Sequence, residues 1–132
     1  MQLLLDTHAW LWFALGDAKL SVVAKAAILD PLNVKHVSPA SYWEISIKIR
    51  MGKYVLATPY TQFMREAMLG NGFKHLAITP EHTERVSILP FPHGDRHRDP
   101  FDRLLISQAL VEGMILVSDD TKFAAYGVPV LW

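Results

Sequence analysis

Two rhythms of apolar residues divide this chain. Short unbroken runs, LLL at 3–5 ahead of Asp6 and MILVS at 114–118, are too brief for helices and predict buried strands. VKHVS (34–38), FKHLAI (73–78) and the closing VPVLW predict three more. Between them stand segments with helix punctuation. THAWLWFAL runs to a stop near Gly16, SVVAKAAIL (21–29) starts on a serine and ends near Asp30-Pro31, and Thr58-Pro59 opens a helix through roughly Leu69. TPEHTERVSIL (79–89) carries a cap, a proline and an acid in helix-opening order. FPHGDRH is loop, a helix follows from Asp99 to about Glu112, and TKFAAYG predicts a short helix after Asp119-Asp120. The stretch from Ala40 is ambiguous, because Tyr42, Trp43, Ile45, Ile47 and Ile49 also fit a strand. The distance to the next strand and Gly52 as a natural stop favour a helix.

Strands and helices that alternate in this way predict an α/β fold: three α/β/α layers around an open, mainly parallel sheet of about four to five strands. No repeat, low-complexity tract or linker interrupts residues 1–132, so a single domain is expected.

Composition narrows the class. Apolar residues make up 51% and charged residues 20% of the chain, close to a globular average. The apolar start MQLLLDTHAWLWFAL lacks a basic leader and a cleavage site, and Asp6 and His8 interrupt it, so neither a signal peptide nor a membrane span is expected. There is no cysteine, hence no disulfide framework or thiolate metal site, which suits a reducing cytoplasm. Thirteen basic and thirteen acidic residues cancel, so affinity for nucleic acid has to come from a local patch.

The candidate chemistry lies in the acids. In HRDPFDRLLISQAL, Asp99 reads as an N-cap, Pro100 as the first helical residue and Asp102 as a residue of the first turn. There a carboxylate is also favourable simply as a negative charge at the positive helix end. Yet Asp6 ends the first strand, Asp119-Asp120 end the ILVS strand, and Asp102 starts the helix that feeds that strand. In an open parallel sheet, ligands bind beyond the carboxyl ends of the strands, so these acids share one rim, and Glu44 reaches it from the helix after VKHVS. Clustered carboxylates either take up protons or hold cations, and oxygen-only donors suit Mg²⁺ or Mn²⁺. Metal-assisted hydrolysis of a phosphodiester is the chemistry indicated.

Four pieces in order, LLLDTHAWLW, SYWEISIK, HRDPFDRLLISQAL and LVSDD…YGVPVLW, resemble the PIN-domain family, specifically its VapC-type toxins. The resemblance covers nearly the whole chain. It implies a parallel-sheet nuclease fold, Mg²⁺-dependent endoribonuclease activity, a homodimer, and a cognate antitoxin whose tail blocks the cleft. It assigns Asp6, Glu44, Asp102 and Asp120 as the catalytic, metal-holding acids. Asp102 fits the family pattern better than Asp99, and Asp120 better than Asp119, although Asp99 through water and Asp119 by substitution stay open. Ser107-Gln108 stands where the family often has Ala-Ala.

Other residues divide between functional and ordinary readings. Thr7 and Ser118 adjoin the acids and can orient metal or water, but hydroxyls at strand ends commonly bond backbone. Lys48, Arg50 and Lys53 after Glu44, and Arg96, Arg98 and Arg103 around Asp102, can grip phosphates or form a solvated face. Trp10, Trp12 and Trp43 can stack on bases or belong to core and interface. His93 and His97 have the spacing of a helical zinc pair but sit in a loop, which argues against zinc. Three rival functions are weaker. A phosphoacceptor module wants an acid pair after the first strand and a late lysine. A nuclease for structured DNA wants extra helices, and an inactive interaction domain has no need of all four acids.

Overall fold

The computed structural model describes residues 1–132. Its elements follow in order: β1 (Gln2–Leu5), α1 (Thr7–Leu15), α2 (Val22–Leu29), β2 (Val34–Val37), α3 (Pro39–Arg50), α4 (Tyr60–Met68), β3 (Lys74–His75), α5 (Pro80–Ile88), α6 (Pro100–Glu112), β4 (Ile115–Val117) and β5 (Val130–Leu131). The five strands form one sheet in the order β3-β2-β1-β4-β5, and every neighbouring pair is parallel. No helix is long and apolar enough to cross a membrane.

Side chains on successive strand residues point to opposite faces, and the core divides accordingly. Leu3, Leu5, Val37 and Val117 pack with Trp10, Ile28, Phe63 and Met68 from α1, α2 and α4. Leu4 and Leu116 pack with Leu105, Ile106 and Ala109 of α6 on the other face. β1 is therefore enclosed on both sides, which explains why LLL reads as an unbroken apolar run. α3 contributes Ile45 to the first cluster and Ala40 to the second.

The ambiguous segment from Ala40 is helical. Ser38 accepts from the Ala40 N–H at 3.1 Å and Pro39 occupies the first turn, so the local punctuation overrides the strand-like alternation. The strand expected over 73–78 shrinks to Lys74–His75, with Leu76 N–H adding one more bond to Val37 O at 2.9 Å. It is an edge strand, where a short length limits unpaired backbone. The short helix expected in TKFAAYG is a single 3₁₀ turn, Phe123–Tyr126, closed by Gly127 at φ 79°.

Arg103 requires a correction. A phosphate grip would need it free, but it is 6% exposed. Its Nη1 donates to Pro90 O at 2.9 Å and its Nη2 to Leu89 O at 2.8 Å, with Phe91 stacked on the guanidinium at 3.7 Å. Arg103 thus fastens the 89–98 loop to α6, a structural job suited to its planar fork of donors. Arg103→Met strands two carbonyls and is expected to lower unfolding free energy by about 2–4 kcal/mol in urea titrations. Exposed Arg98→Ala should leave the midpoint nearly unchanged, and equal midpoints for both variants would contradict the assignment.

Candidate metal centre

Strand order decides what meets at the carboxyl edge. After β1 the chain builds β2 and β3 on one side and then crosses to β4 on the other, so β1 and β4 are neighbours at the switch point of the sheet. Asp6 follows β1 directly and its N–H continues the ladder to Val117 O at 3.1 Å. Its carboxylate is held on both oxygens. Oδ1 accepts from Ala9 N–H at 2.7 Å as the N-cap of α1, and Oδ2 accepts from the Ser118 hydroxyl at 2.5 Å. Ser118 also accepts from Asp120 N–H at 3.1 Å, and Asp120 Oδ1 accepts from Lys122 N–H at 2.9 Å, which shapes the turn after β4.

Asp102 comes from the first turn of α6. Asp99 caps that helix, its Oδ1 accepting from Phe101 N–H at 2.9 Å and Asp102 N–H at 3.1 Å. Glu44 stands in the second turn of α3 and pairs with Lys48 at 3.1 Å, the i,i+4 geometry that a helix offers and a strand does not.

These side chains open on one cleft of about 460 Å³, lined by Asp6, Glu44, Asp99, Asp102, Asp119 and Asp120. Only two lysines, Lys48 and Lys122, share the lining with those six carboxyls. The electrostatic cost is visible. Burial raises the pKa of Asp6 from an ordinary 3.8 to about 6, partly offset by its bonds to Ser118 and Ala9, with Asp119 pushing further upward. Burial likewise raises Asp102 to about 6, with His97 opposing the shift and the charges of Asp99 and Glu44 adding to it. Burial pulls Lys48 down, but Glu44 and Tyr54 together push it up further, so its net shift is upward. Oxygen donors crowded beyond the available positive charge fit a hard divalent cation. One oxygen each of Asp102 and Asp120 lie within 4.8 Å of each other and of a ring nitrogen of His97, so the two acids are close enough to share such an ion. Asp6 and Glu44 line the same cleft outside that close group.

A model of the PIN domain matches residues 3–129. The chain belongs to the PIN-domain family. Ribonuclease VapC22 of Mycobacterium tuberculosis is 27% identical to this PIN domain over 128 residues, covering 96% of this chain and 92% of that protein. A chain in the crystal structure of VapBC2 from Rickettsia felis, bound to a promoter DNA fragment, superposes with a TM-score of 0.72 at 15% identity, covering 98% of this chain and 97% of that one. FitAcB from Neisseria gonorrhoeae gives 0.66 at 16% identity, covering 97% and 95%. VapBC-1 from nontypeable Haemophilus influenzae gives 0.65 at 17%, covering 98% and 96%. At such identities these structures speak for the fold, and they match the PIN domain from end to end.

Within this PIN domain the remaining sequence candidates separate. Thr7 lines the cleft and its hydroxyl donates to Ser41 Oγ at 3.2 Å, whereas Ser118 lies behind Asp6. Lys48 reaches the cleft, but Arg50 and Arg98 do not line it, and Arg98 pairs with Asp95 at 2.9 Å. Trp10 is fully buried core, Trp12 lines the cleft, and Trp43 is 60% exposed with its ring edge-on to Phe101 at 5.1 Å. His93 and His97 do not chelate as a pair, since His93 Nε2 bonds Lys122 O at 2.9 Å and both nitrogens of His97 are engaged. Sequence reasoning missed His8 and Lys122 in the lining, and His97 beside Asp102. Their only sequence signal is adjacency to the acids.

The raised carboxyls fix a sign for pH dependence. A carboxyl whose pKa is higher in the folded than in the unfolded state contributes stability at low pH, and that contribution is lost as pH rises through the folded value. In EDTA the melting temperature should therefore fall between about pH 4 and pH 7. The Asp6 share is on the order of 3 kcal/mol. Asp6→Asn keeps an acceptor for Ala9 N–H and should melt several degrees higher than the parent at pH 7.5; a lower melting point would contradict the burial argument.

Proposed function

We propose that this chain is a divalent-metal-dependent endoribonuclease, the toxin of a toxin–antitoxin pair. The observation that carries the proposal is the meeting of Asp6, Glu44, Asp102 and Asp120 at one cleft on the switch point of the sheet. Support for RNA as the substrate class is the likeness to a protein named a ribonuclease. Support for an antitoxin partner is the likeness to chains of VapBC complexes. Homodimerisation belongs to the same proposal, with the exposed Trp43 and the half-buried Phe101, Val86 and Leu104 beside it as its contact surface.

Asp6, Glu44, Asp102 and Asp120 would hold Mg²⁺, with Mn²⁺ as a substitute. When bound, the cation supplies a water of lowered pKa and a counter-charge for the phosphate oxygens. The chain's own residues do the rest. Ser118 and Ala9 hold the Asp6 carboxylate in one orientation, and burial around Asp6 and Glu44 strengthens the charge interactions these two make. Lys48 pairs with Glu44 at the cleft wall, while Lys48 and Lys122 attract the substrate backbone. Arg50 and Arg98 act at longer range, on strands leaving the cleft. Trp12 offers an aromatic edge for a base.

Purified protein incubated with total RNA should cleave it in Mg²⁺ and not in EDTA, and Asp6→Asn or Asp102→Asn should lower the rate by at least about a hundredfold. Induction of the parent chain alone should arrest bacterial growth, and the Asp102→Asn form should not. Cleavage that persists in EDTA and in Asp6→Asn would overturn the proposal.

A further inference from the structure

The loop between α5 and α6 buries a histidine with two engaged nitrogens. His97 is 4% exposed, packed against Phe123 and Tyr126 with ring centroids at 5.9 and 5.5 Å. Its Nδ1 lies 2.7 Å from the Tyr126 hydroxyl and its Nε2 lies 2.9 Å from Asp102 Oδ2. A carboxylate only accepts, so Nε2 carries the proton. Nδ1 is then free to accept from the Tyr126 O–H, and the Tyr126 oxygen faces Arg103 Nη1 at 3.5 Å. The chain Arg103, Tyr126, His97, Asp102 thus has one consistent direction of donation, and a neutral imidazole satisfies it.

We propose that His97 is a positioning residue for the metal centre: its Nε2–H locks the Asp102 carboxylate by Oδ2 and leaves Oδ1 for the cation. The inference rests on the metal-holding role proposed for Asp102. Three features favour positioning over simple loop anchoring. Arg103 already fastens the loop through Leu89 and Pro90, so His97 is not needed for that. The bond goes to a cleft acid whose backbone N–H is already held by Asp99, so the two contacts together fix both main chain and carboxylate. Finally, the Tyr126 hydroxyl, donating to Nδ1, supports the Nε2–H tautomer that Asp102 requires, a match that a packing role does not impose. Partners of this kind, one shell out from the ion, orient ligating groups and carry a large part of metal affinity.

Mn²⁺ titration followed by the electron paramagnetic resonance signal of the free ion tests the proposal, with metal-free melting curves recorded alongside. His97→Ala should weaken Mn²⁺ binding about 10–100-fold, whereas His97→Gln, whose amide N–H reaches the place of Nε2, should stay within about threefold of the parent. Tyr126→Phe keeps the ring and releases the tautomer, and should weaken binding about 3–10-fold with little change in melting. Unchanged affinity in His97→Ala overturns the proposal, as does a folded His97→Gln no better than His97→Ala, which would mean direct ligation or packing. If His97→Ala does not fold, unchanged affinity in Tyr126→Phe is the overturning result. A parent chain that binds Mn²⁺ no more tightly than Asp6→Asn would sink the metal centre itself, and is distinguishable from all of these.

Discussion

Negative charge gathered at the carboxyl edge of a parallel sheet is the constraint on which the rest of this molecule turns. Six carboxyls meet two lysines in one cleft, and two of the six, Asp6 and Asp102, are held about two pH units above their ordinary range by burial. Nothing in the fold demands this. A cap on α1 needs one oxygen acceptor, and Asn or Ser would serve Ala9 N–H without a buried charge. The stability given up at Asp6 is the signature of a site shaped for something other than folding.

The scaffold explains how such a cluster persists. Asp6 is fixed by hydrogen bonds from two different elements, α1 through Ala9 and the end of β4 through Ser118, so its carboxylate cannot swing away from its neighbours. The parallel pairing of β1 with β4 brings those two together, and that pairing is sealed by Leu3, Leu4 and Leu5 packed on both faces. Asp102 is fixed in a different way, by a helix cap on one side and a buried histidine on the other. Core packing and site geometry are thus one system. A change that slips β1 against β4 by a residue would turn Leu4 to the wrong face and part Asp6 from Ser118 together.

Much of this was legible in the sequence for reasons that can be named. Strands enclosed on both faces are continuous apolar runs, and helices carry caps and prolines, so LLL, ILV and the α6 start declare themselves locally. Acids that end strands or open a helix are similarly visible, which is why Asp6, Asp102 and Asp120 could be proposed before any geometry, the last two chosen from their doublets by the family resemblance. What sequence does not carry is pairing at a distance. That β1 lies beside β4, and hence that Ser118 meets Asp6 across 112 positions, follows from topology. The same blindness misread Arg103, whose neighbours Asp102 and Asp99 suggest a substrate-facing cation while its partners, Leu89 and Pro90, lie in a loop more than a dozen residues away. His97 reads in the sequence only as half of a zinc pair with His93, because a histidine in a polar loop gives no sign of burial against Asp102. β3 was overestimated because edge pairing, not the apolar content of FKHLAI, sets where a ladder ends.

The most direct test is anomalous diffraction from crystals soaked in MnCl₂ at the manganese absorption edge. A cleft built to hold a cation should show an anomalous peak among the side-chain oxygens of Asp6, Asp102 and Asp120. An empty cleft at saturating Mn²⁺, or an ion seated away from Asp6 and Asp102, would contradict it.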